Sequence, residues 1–197
     1  MAFAKPSISE IRPHIFIGNL FSTLDPNTLR ANNITAIVSL MDARHGKWGT
    51  PSIRSIVPEA NHLYIPCLDS STMDLLLFMS DVCDFIEEHS CRDDENVLVH
   101  CRAGVSRSAS IVIAYLMRKY NLSLDGALAE VKEKRKVRPN LNFIGQLRIW
   151  EAVGYQVWQD KDRKIAKREY QDFLDTRLCL LKSKGLTGDE PIEIQSL

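Results

Sequence analysis

The segment VLVHCRAGVSRS, residues 97–108, decides the fold of this chain. Residues 97–99 form a short, entirely apolar run that is typical of a central strand buried on both faces. Residues 108–119 are apolar enough for a core helix. The segment therefore predicts a strand, a tight loop and a helix in that order.

The loop between this strand and this helix predicts an anion site. Backbone N–H groups in such a loop line up with the positive end of the helix dipole, so the loop can hold a dianion such as phosphate. Gly104 lets the backbone turn without a Cβ clash, and Arg107 offers a planar pair of donors to two phosphate oxygens. The same positive surroundings favour the thiolate form of Cys101. A nucleophile and an anion site therefore share one loop.

Strand and helix patterns alternate on both sides of this loop. The sequence predicts strands at residues 11–17, 34–40 and 62–65, with the first at an edge of the sheet, and helices at residues 26–32, 74–89, 124–131 and 143–153. Residues 42–58 show no sustained period and are predicted to be mostly loop. This alternation predicts an α/β fold with a central, mostly parallel sheet flanked by helices.

The composition changes after Gly154. Residues 160–184 have sparse apolar positions among many charges, which predicts an amphipathic surface helix, and residues 185–197 are predicted to be disordered. We expect a catalytic domain at residues 1–157 and a helical extension with a tail at residues 158–197. The helix is expected to pack on the domain, and binding of a protein partner through it stays open.

Composition restricts the function classes. Lys plus Arg and Asp plus Glu both number 25, so no nucleic-acid or membrane partner is expected from overall charge. The five cysteines are an odd number without a Cys-x-x-Cys pair, which favours a reducing compartment over a disulfide or zinc framework. The N-terminus shows no signal pattern and the longest apolar run, residues 111–117, is too short to span a membrane. We expect a cytoplasmic or nuclear protein.

The pattern His-Cys-x5-Arg-Ser at residues 100–108 resembles the signature loop of the cysteine-dependent protein phosphatases. The residues inside this pattern, Ala-Gly-Val-Ser at 103–106, are similar to those of the dual-specificity branch. The chain resembles a small, atypical member of that branch. The resemblance covers roughly residues 8–155. Residues 65–69, Ile-Pro-Cys-Leu-Asp, are similar to the family's general-acid loop.

Two later segments extend the resemblance. Residues 138–147 are similar to the family's late segment, with Asn142 where a glycine is usual; Asn tolerates the left-handed backbone better than most residues, so the departure is mild. Residues 150–155, Trp-Glu-Ala-Val-Gly-Tyr, and the charged helix after them look like a subgroup that carries a C-terminal zinc-binding module. No Cys-x-x-Cys pair is present in this sequence to build that module.

The resemblance implies a protein phosphatase that acts on phosphotyrosine and on phosphoserine or phosphothreonine, without metal or cofactor. Cys101 would attack phosphorus while Asp69 protonates the leaving oxygen, and Asp69 would then deprotonate the water that hydrolyses the thiophosphate. His100 would tune the thiol and the Ser108 hydroxyl would help the thiolate leave. The phosphate would be held by the loop residues Arg102, Ala103, Gly104, Val105, Ser106 and Arg107.

Several alternatives stay open at the level of single residues. Asp74 is an alternative candidate for the general acid, and Asp69, which precedes two serines, could instead be an ordinary turn residue. Cys67 is either a buried thiol or a disulfide partner of an oxidised Cys101. The basic run at residues 132–138 would attract acidic substrates, serve as an import signal or simply form a solvated helix end.

The function also has alternatives. One is a phosphoinositide or RNA 5′-phosphate phosphatase, although lipid-directed relatives place basic residues at two variable loop positions and here only Arg102 is basic while Val105 is apolar. Another is a non-catalytic module that binds phosphoproteins, which the presence of Cys101, Arg107 and Asp69 disfavours. A phosphoprotein is the expected partner in the leading reading.

Overall fold

The computed structural model describes residues 5–91, 95–187 and residue 190. The strands are β1 (Ile8–Arg12), β2 (Ile15–Asn19), β3 (Ile34–Met41), β4 (His62–Pro66) and β5 (Asn96–Cys101). The helices are α1 (Leu20–Leu24), α2 (Pro26–Ala31), α3 (Pro51–Arg54), α4 (Leu76–Ser90), α5 (Arg107–Tyr120), α6 (Leu124–Lys134), α7 (Leu141–Ala152) and α8 (Arg168–Ser183). Most of the tail predicted to be disordered lies outside the described residues.

The five strands form one sheet in the order β1-β2-β5-β3-β4. β1 pairs antiparallel with β2, while the pairs β2–β5, β5–β3 and β3–β4 are parallel. This confirms the predicted α/β fold with a mostly parallel sheet. β5 lies at the centre of the sheet and leads into residues 102–107, the predicted phosphate-binding loop.

Both faces of β5 are buried, as its apolar run predicts. Val97 and Val99 face the larger core cluster, and Leu98 faces a smaller one beneath α2 and α3. On the larger side α5 packs against α4, α6 and α7, and every residue from 107 to 117 is buried. Each large apolar side chain buried here contributes about 1.5–3 kcal/mol to the free energy of folding. The loop is therefore anchored at both ends in the core.

The prediction of a single strand at residues 11–17 is wrong. The structure has a hairpin, β1 and β2, with a turn at Pro13 and His14. Proline has no N–H for the ladder, and His14 adopts a φ of 70°, so the chain reverses at these two residues.

Residues 42–58 are more ordered than predicted. They contain a 3-10 helix (Gly46–Gly49) and α3, whose first residue is Pro51. Trp48, which is 3% exposed, packs edge-on against His62 and His100. Trp48, Ile53 and Val57 are buried and anchor this segment, and their irregular spacing gives no periodic pattern.

The C-terminal helix is shorter than predicted because α8 begins at Arg168 rather than near Asp160. The Asp160 carboxylate accepts hydrogen bonds from the N–H groups of Lys164 and Ile165, which closes a turn before the helix. Tyr170 on α8 is 1% exposed and belongs to the larger core cluster, so the helix packs on the domain. The division of the chain at residue 157 stays a prediction. Within the described residues, no helix is long and apolar enough to cross a membrane.

Candidate active site

Cys101 ends β5, and its sulfur lies at the base of the loop that joins β5 to α5. The Gly104 N–H and the Ser108 hydroxyl donate hydrogen bonds to Sγ, at 3.2 and 3.3 Å. Gly104 has a φ of +68°, and a Cβ there would lie 2.5 Å from the Gly18 carbonyl oxygen. Only glycine fits this position, because both the backbone conformation and the close approach exclude a side chain.

These surroundings favour the thiolate of Cys101. Burial alone would raise the pKa of the thiol. The hydrogen bonds from the Ser108 hydroxyl and backbone, together with the positive charge of Arg107, outweigh burial and lower that pKa below its ordinary value. The site therefore favours a nucleophilic sulfur.

Arg107, the first residue of α5, is buried beneath the loop, with 6% of its surface exposed. Its Nη1 donates a 2.8 Å hydrogen bond to the Cys67 carbonyl oxygen, which fixes the guanidinium against residues 65–69, the predicted acid loop. Its Nε has no hydrogen-bond partner in the part of the chain that the structure describes. A buried donor on a fixed guanidinium is well suited to an anion in the cleft.

Asp69 lines the same cleft as Cys101 and contacts the loop that follows Cys101. Its Oδ1 accepts hydrogen bonds from the Ser106 hydroxyl, at 2.9 Å, and from Asn140 Nδ2, at 2.6 Å. The Ser106 hydroxyl in turn accepts the Asn140 N–H at 3.1 Å. These contacts join the acid loop, the phosphate-binding loop and the start of α7.

Asp74, the rival acid, has a different environment. It is 8% exposed, and its Oδ2 accepts a hydrogen bond from the Tyr170 hydroxyl while its Oδ1 accepts the Leu77 N–H at the start of α4. Burial raises its pKa above the ordinary value. Asp74 does not line the cleft that holds Cys101, whereas Asp69 does.

Two side chains of α7 hold the chain between Asp69 and α4. Asn142 Nδ2 donates to the carbonyl oxygens of Ser70 and Met73, at 3.0 and 2.9 Å. Gln146 donates to the Met73 carbonyl and accepts the N–H groups that begin α4. Asn142 lies in the first turn of a right-handed helix, so its tolerance of the left-handed backbone is not needed there. Its amide side chain, which glycine lacks, positions the acid loop instead.

Sequence reasoning missed the residues behind His100. The Ser39 hydroxyl lies 2.5 Å from His100 Nε2 and 2.7 Å from His62 Nε2, so it bridges two buried imidazoles. Burial lowers the pKa of His100 to about 3 and that of His62 to about 4, so both rings are neutral near pH 7. The tuning of the thiol by His100 stays a prediction.

Arg135 was also missed as a separate element of the site. Although it lies within the basic run 132–138, its Nε donates to the Gly104 carbonyl at 2.8 Å and its Nη1 to the Ser9 hydroxyl at 3.2 Å. It supports the phosphate-binding loop from outside. The run is therefore more than a solvated helix end.

Cys67 is a buried free thiol, as is Cys101. Burial raises the pKa of Cys67, so this thiol is protonated and unreactive in the arrangement described. The structure agrees with the reading of Cys67 as an ordinary buried thiol, and a disulfide with an oxidised Cys101 stays an alternative. Among the described residues there is no group of three or more His, Cys, Asp or Glu that could hold a metal ion.

The cleft around Cys101 has a volume of about 1140 Å³. Its walls come from the acid loop, the phosphate-binding loop and the chain from α6 to α7. The lining residues are Asp42, Leu68, Asp69, Cys101, Arg102, Ala103, Val105, Ser106, Arg107, Lys132, Lys136, Val137, Arg138 and Asn140. All the residues predicted for the site line the cleft except His100, Gly104 and Ser108. These three lie next to lining residues in the sequence.

Comparison with known proteins supports the reading of this loop. A dual specificity phosphatase 22-B of Danio rerio is 32% identical over 193 residues, which are 96% of this chain and 97% of that protein. A probable dual specificity protein phosphatase of Dictyostelium discoideum is 37% identical over 74% of this chain and 34% of its own length. Three of the curated relatives are much longer than this chain, which covers between 20% and 38% of their length.

The fold agrees with solved structures as well. The crystal structure of human DUSP28 superposes with a TM-score of 0.65 at 28% identity, covering 76% of this chain and 98% of that one. The family described as "dual specificity phosphatase, catalytic domain" matches residues 15–153, which include Asp69 and the whole phosphate-binding loop. The chain therefore belongs to the dual specificity phosphatase catalytic domain family.

Proposed function

We propose that this chain removes phosphate from tyrosine and from serine or threonine in proteins, through a cysteinyl-phosphate intermediate on Cys101. The observation that carries the proposal is the meeting of a thiolate-favouring Cys101 and Asp69 in one cleft. Family membership supports phosphoproteins as substrates.

In the first step the Cys101 sulfur uses its lone pair to form a bond to phosphorus as the bond from phosphorus to the substrate oxygen breaks. The electron pair of that bond stays on the leaving oxygen, which takes a proton from Asp69. The contacts of Asp69 with Ser106 and Asn140 hold the carboxyl over the loop for this transfer.

In the second step a water molecule attacks the phosphorus and displaces the thiolate. Asp69, now ionised, takes a proton from this water, so that phosphate leaves and both groups return to their starting states. The Ser108 hydroxyl, which already donates to Sγ, stabilises the thiolate that is released.

The loop supplies the electrostatic stabilisation. Backbone N–H groups of residues 102–107 lie at the N-terminus of α5, where the helix dipole favours negative charge. Arg107 adds a fixed guanidinium with a free donor. Together they stabilise the equatorial oxygens as charge redistributes in the transition state.

The state of the cysteines supports a cellular compartment for this chain. All five are free thiols, and a chain that relies on a thiolate nucleophile works best in a reducing compartment. We therefore favour the cytoplasm or the nucleus.

The test is a comparison of Cys101→Ser, Arg107→Ala and the control Cys179→Ser on an aryl phosphate, a phosphotyrosine peptide and a phosphothreonine peptide. Cys101→Ser should abolish turnover but still bind inorganic phosphate, since the loop is intact. Arg107→Ala should lose both turnover and phosphate binding. Cys179 is exposed on α8, so its variant should match the wild type. More than a few per cent of activity in Cys101→Ser would contradict the proposal.

A further inference from the structure

The cleft carries four cationic side chains that the phosphate chemistry does not use. Arg102, Lys132, Lys136 and Arg138 all line it and are exposed. Within residues 5–91 and 95–187 their side chains make no hydrogen bond or ion pair. We call these four residues the basic rim. Among the described residues, two acidic ones, Asp42 and Asp69, line the same cleft.

The basic rim is distinct from its neighbours in the sequence. Lys134 lies 3.6 Å from the carboxylate of Glu133, and Arg135 is engaged by the phosphate-binding loop. Of the basic residues in this run, Lys132, Lys136 and Arg138 line the cleft. The net charge of the chain is zero, so this concentration of positive charge is local.

The reacting phosphate does not account for the rim. That phosphate is held by the loop amides and by Arg107, whereas three rim residues come from α6 and the chain after it. Their positive charge is therefore available to the part of the substrate that lies beyond the phosphate group. Several cations along one cleft concentrate the field there and favour a negatively charged ligand.

Resting on the proposed function, we propose that the basic rim selects phosphorylated segments of proteins that carry acidic side chains next to the phosphorylated residue. A peptide fits the cleft better than a lipid headgroup does, because the cleft also presents the apolar side chains of Leu68, Val105 and Val137. These suit the neighbouring side chains of a polypeptide, while a headgroup rich in phosphate has no use for them.

The experiment compares two phosphotyrosine peptides that differ only in having glutamate or glutamine on both sides of the phosphotyrosine. The wild-type chain should show about a three- to tenfold higher kcat/KM for the glutamate peptide, since exposed ion pairs are individually weak and three or four act together. The preference should shrink as salt is raised, because surface charges are screened.

The variant Lys132→Gln/Lys136→Gln/Arg138→Gln should lose the preference, whereas the matched control Lys134→Gln should keep it. All four side chains are exposed, and thermal melts should show that both variants fold. Equal rates of the wild type on the two peptides, or a preference that survives in the triple variant, would overturn the inference.

Two further outcomes separate the possibilities. Faster hydrolysis of phosphoinositide in vesicles than of the glutamate peptide would also overturn it, in favour of a lipid. If the wild type hydrolysed neither peptide nor a small aryl phosphate, the proposed function itself would fail; turnover of both peptides at the same rate would sink the selectivity alone.

Discussion

The Tyr170 hydroxyl donates a 2.8 Å hydrogen bond to the buried carboxylate of Asp74 and so ties the C-terminal helix α8 to the chain that follows Asp69. A second contact supports it, since Arg177 Nε donates to the Thr72 carbonyl oxygen at 2.6 Å. α8 lies outside residues 15–153, the part matched by the family. The extension thus braces the chain that carries the candidate acid.

Tyr170→Phe should destabilise the protein by about 1–3 kcal/mol, because the Asp74 carboxylate stays buried and loses a donor. Urea unfolding would measure this loss. Tyr120→Phe is the matched control, since Tyr120 is 39% exposed, and should change the unfolding free energy little. An unchanged midpoint for Tyr170→Phe would show that the hydrogen bond does not hold α8 in place.

Asp69→Asn should slow hydrolysis of an alkyl or phenyl phosphate on the order of 10²–10⁴-fold and that of an activated aryl phosphate much less. An oxygen that leaves as a stable anion does not need a proton. Asp74→Asn should show no such dependence on the leaving group, although loss of the buried carboxylate will affect stability. The reverse pattern would make Asp74 the acid.

The lowered pKa of Cys101 rests on Ser108 more than on any other favourable contact. Ser108→Ala should therefore raise the pKa of Cys101 and move the acidic limb of the pH profile to higher pH. The rate of alkylation by iodoacetate as a function of pH measures the thiolate directly, without the second chemical step. The same pH midpoint in Ser108→Ala and wild type would refute this assignment.

The dependence of activity on pH should be bell-shaped for a substrate with a poor leaving group. The rate should rise with pH as Cys101 ionises, and it should fall at higher pH because the leaving oxygen needs a proton from an acid. Asp69→Asn should flatten the basic limb and keep the acidic one. A basic limb that persists in this variant would point to another acid.

Stability should fall as the pH is lowered below about 6.5. The buried imidazoles of His100 and His62 have pKa values of about 3 and about 4, against an ordinary 6.5 in the unfolded chain. Between these values the unfolded chain binds protons that the folded protein excludes, so each histidine removes roughly 1.4 kcal/mol of stability per pH unit. Asp74, whose pKa is raised, acts in the opposite direction and offsets part of this loss.

Urea unfolding at pH 7, 6 and 5 would show this trend as a decreasing midpoint, and His62→Gln should reduce the slope. A stability that stays level or increases on acidification would mean that the two histidines accept protons in the folded protein.

The sequence was sufficient for β5, the loop and α5 because a buried strand, a positive-φ glycine and a helix N-terminus are each set by local chemistry. The alternation of strand and helix patterns also predicted the mostly parallel sheet. It could not place Ser39, His62 or Trp48 beside His100, since these residues are up to 61 positions apart and meet only through parallel strand pairing.

The sequence could not show the role of the Asn142 side chain. Comparison with the usual glycine concerns only the backbone, whereas in the structure Asn142 Nδ2 donates to the carbonyl oxygens of Ser70 and Met73. Likewise the start of α8 was set by the Asp160 turn, which competes locally with the helix that the apolar spacing favours.

The central claim is that phosphate passes through the sulfur of Cys101. Asp69→Asn mixed rapidly with an activated aryl phosphate should release a burst of phenolate equal to the enzyme concentration, because the sulfur can still attack while the second step lacks its base. Peptide mapping of the quenched protein should then find phosphate on Cys101. Phosphate on any other residue, or no phosphoenzyme alongside steady turnover, would contradict the account.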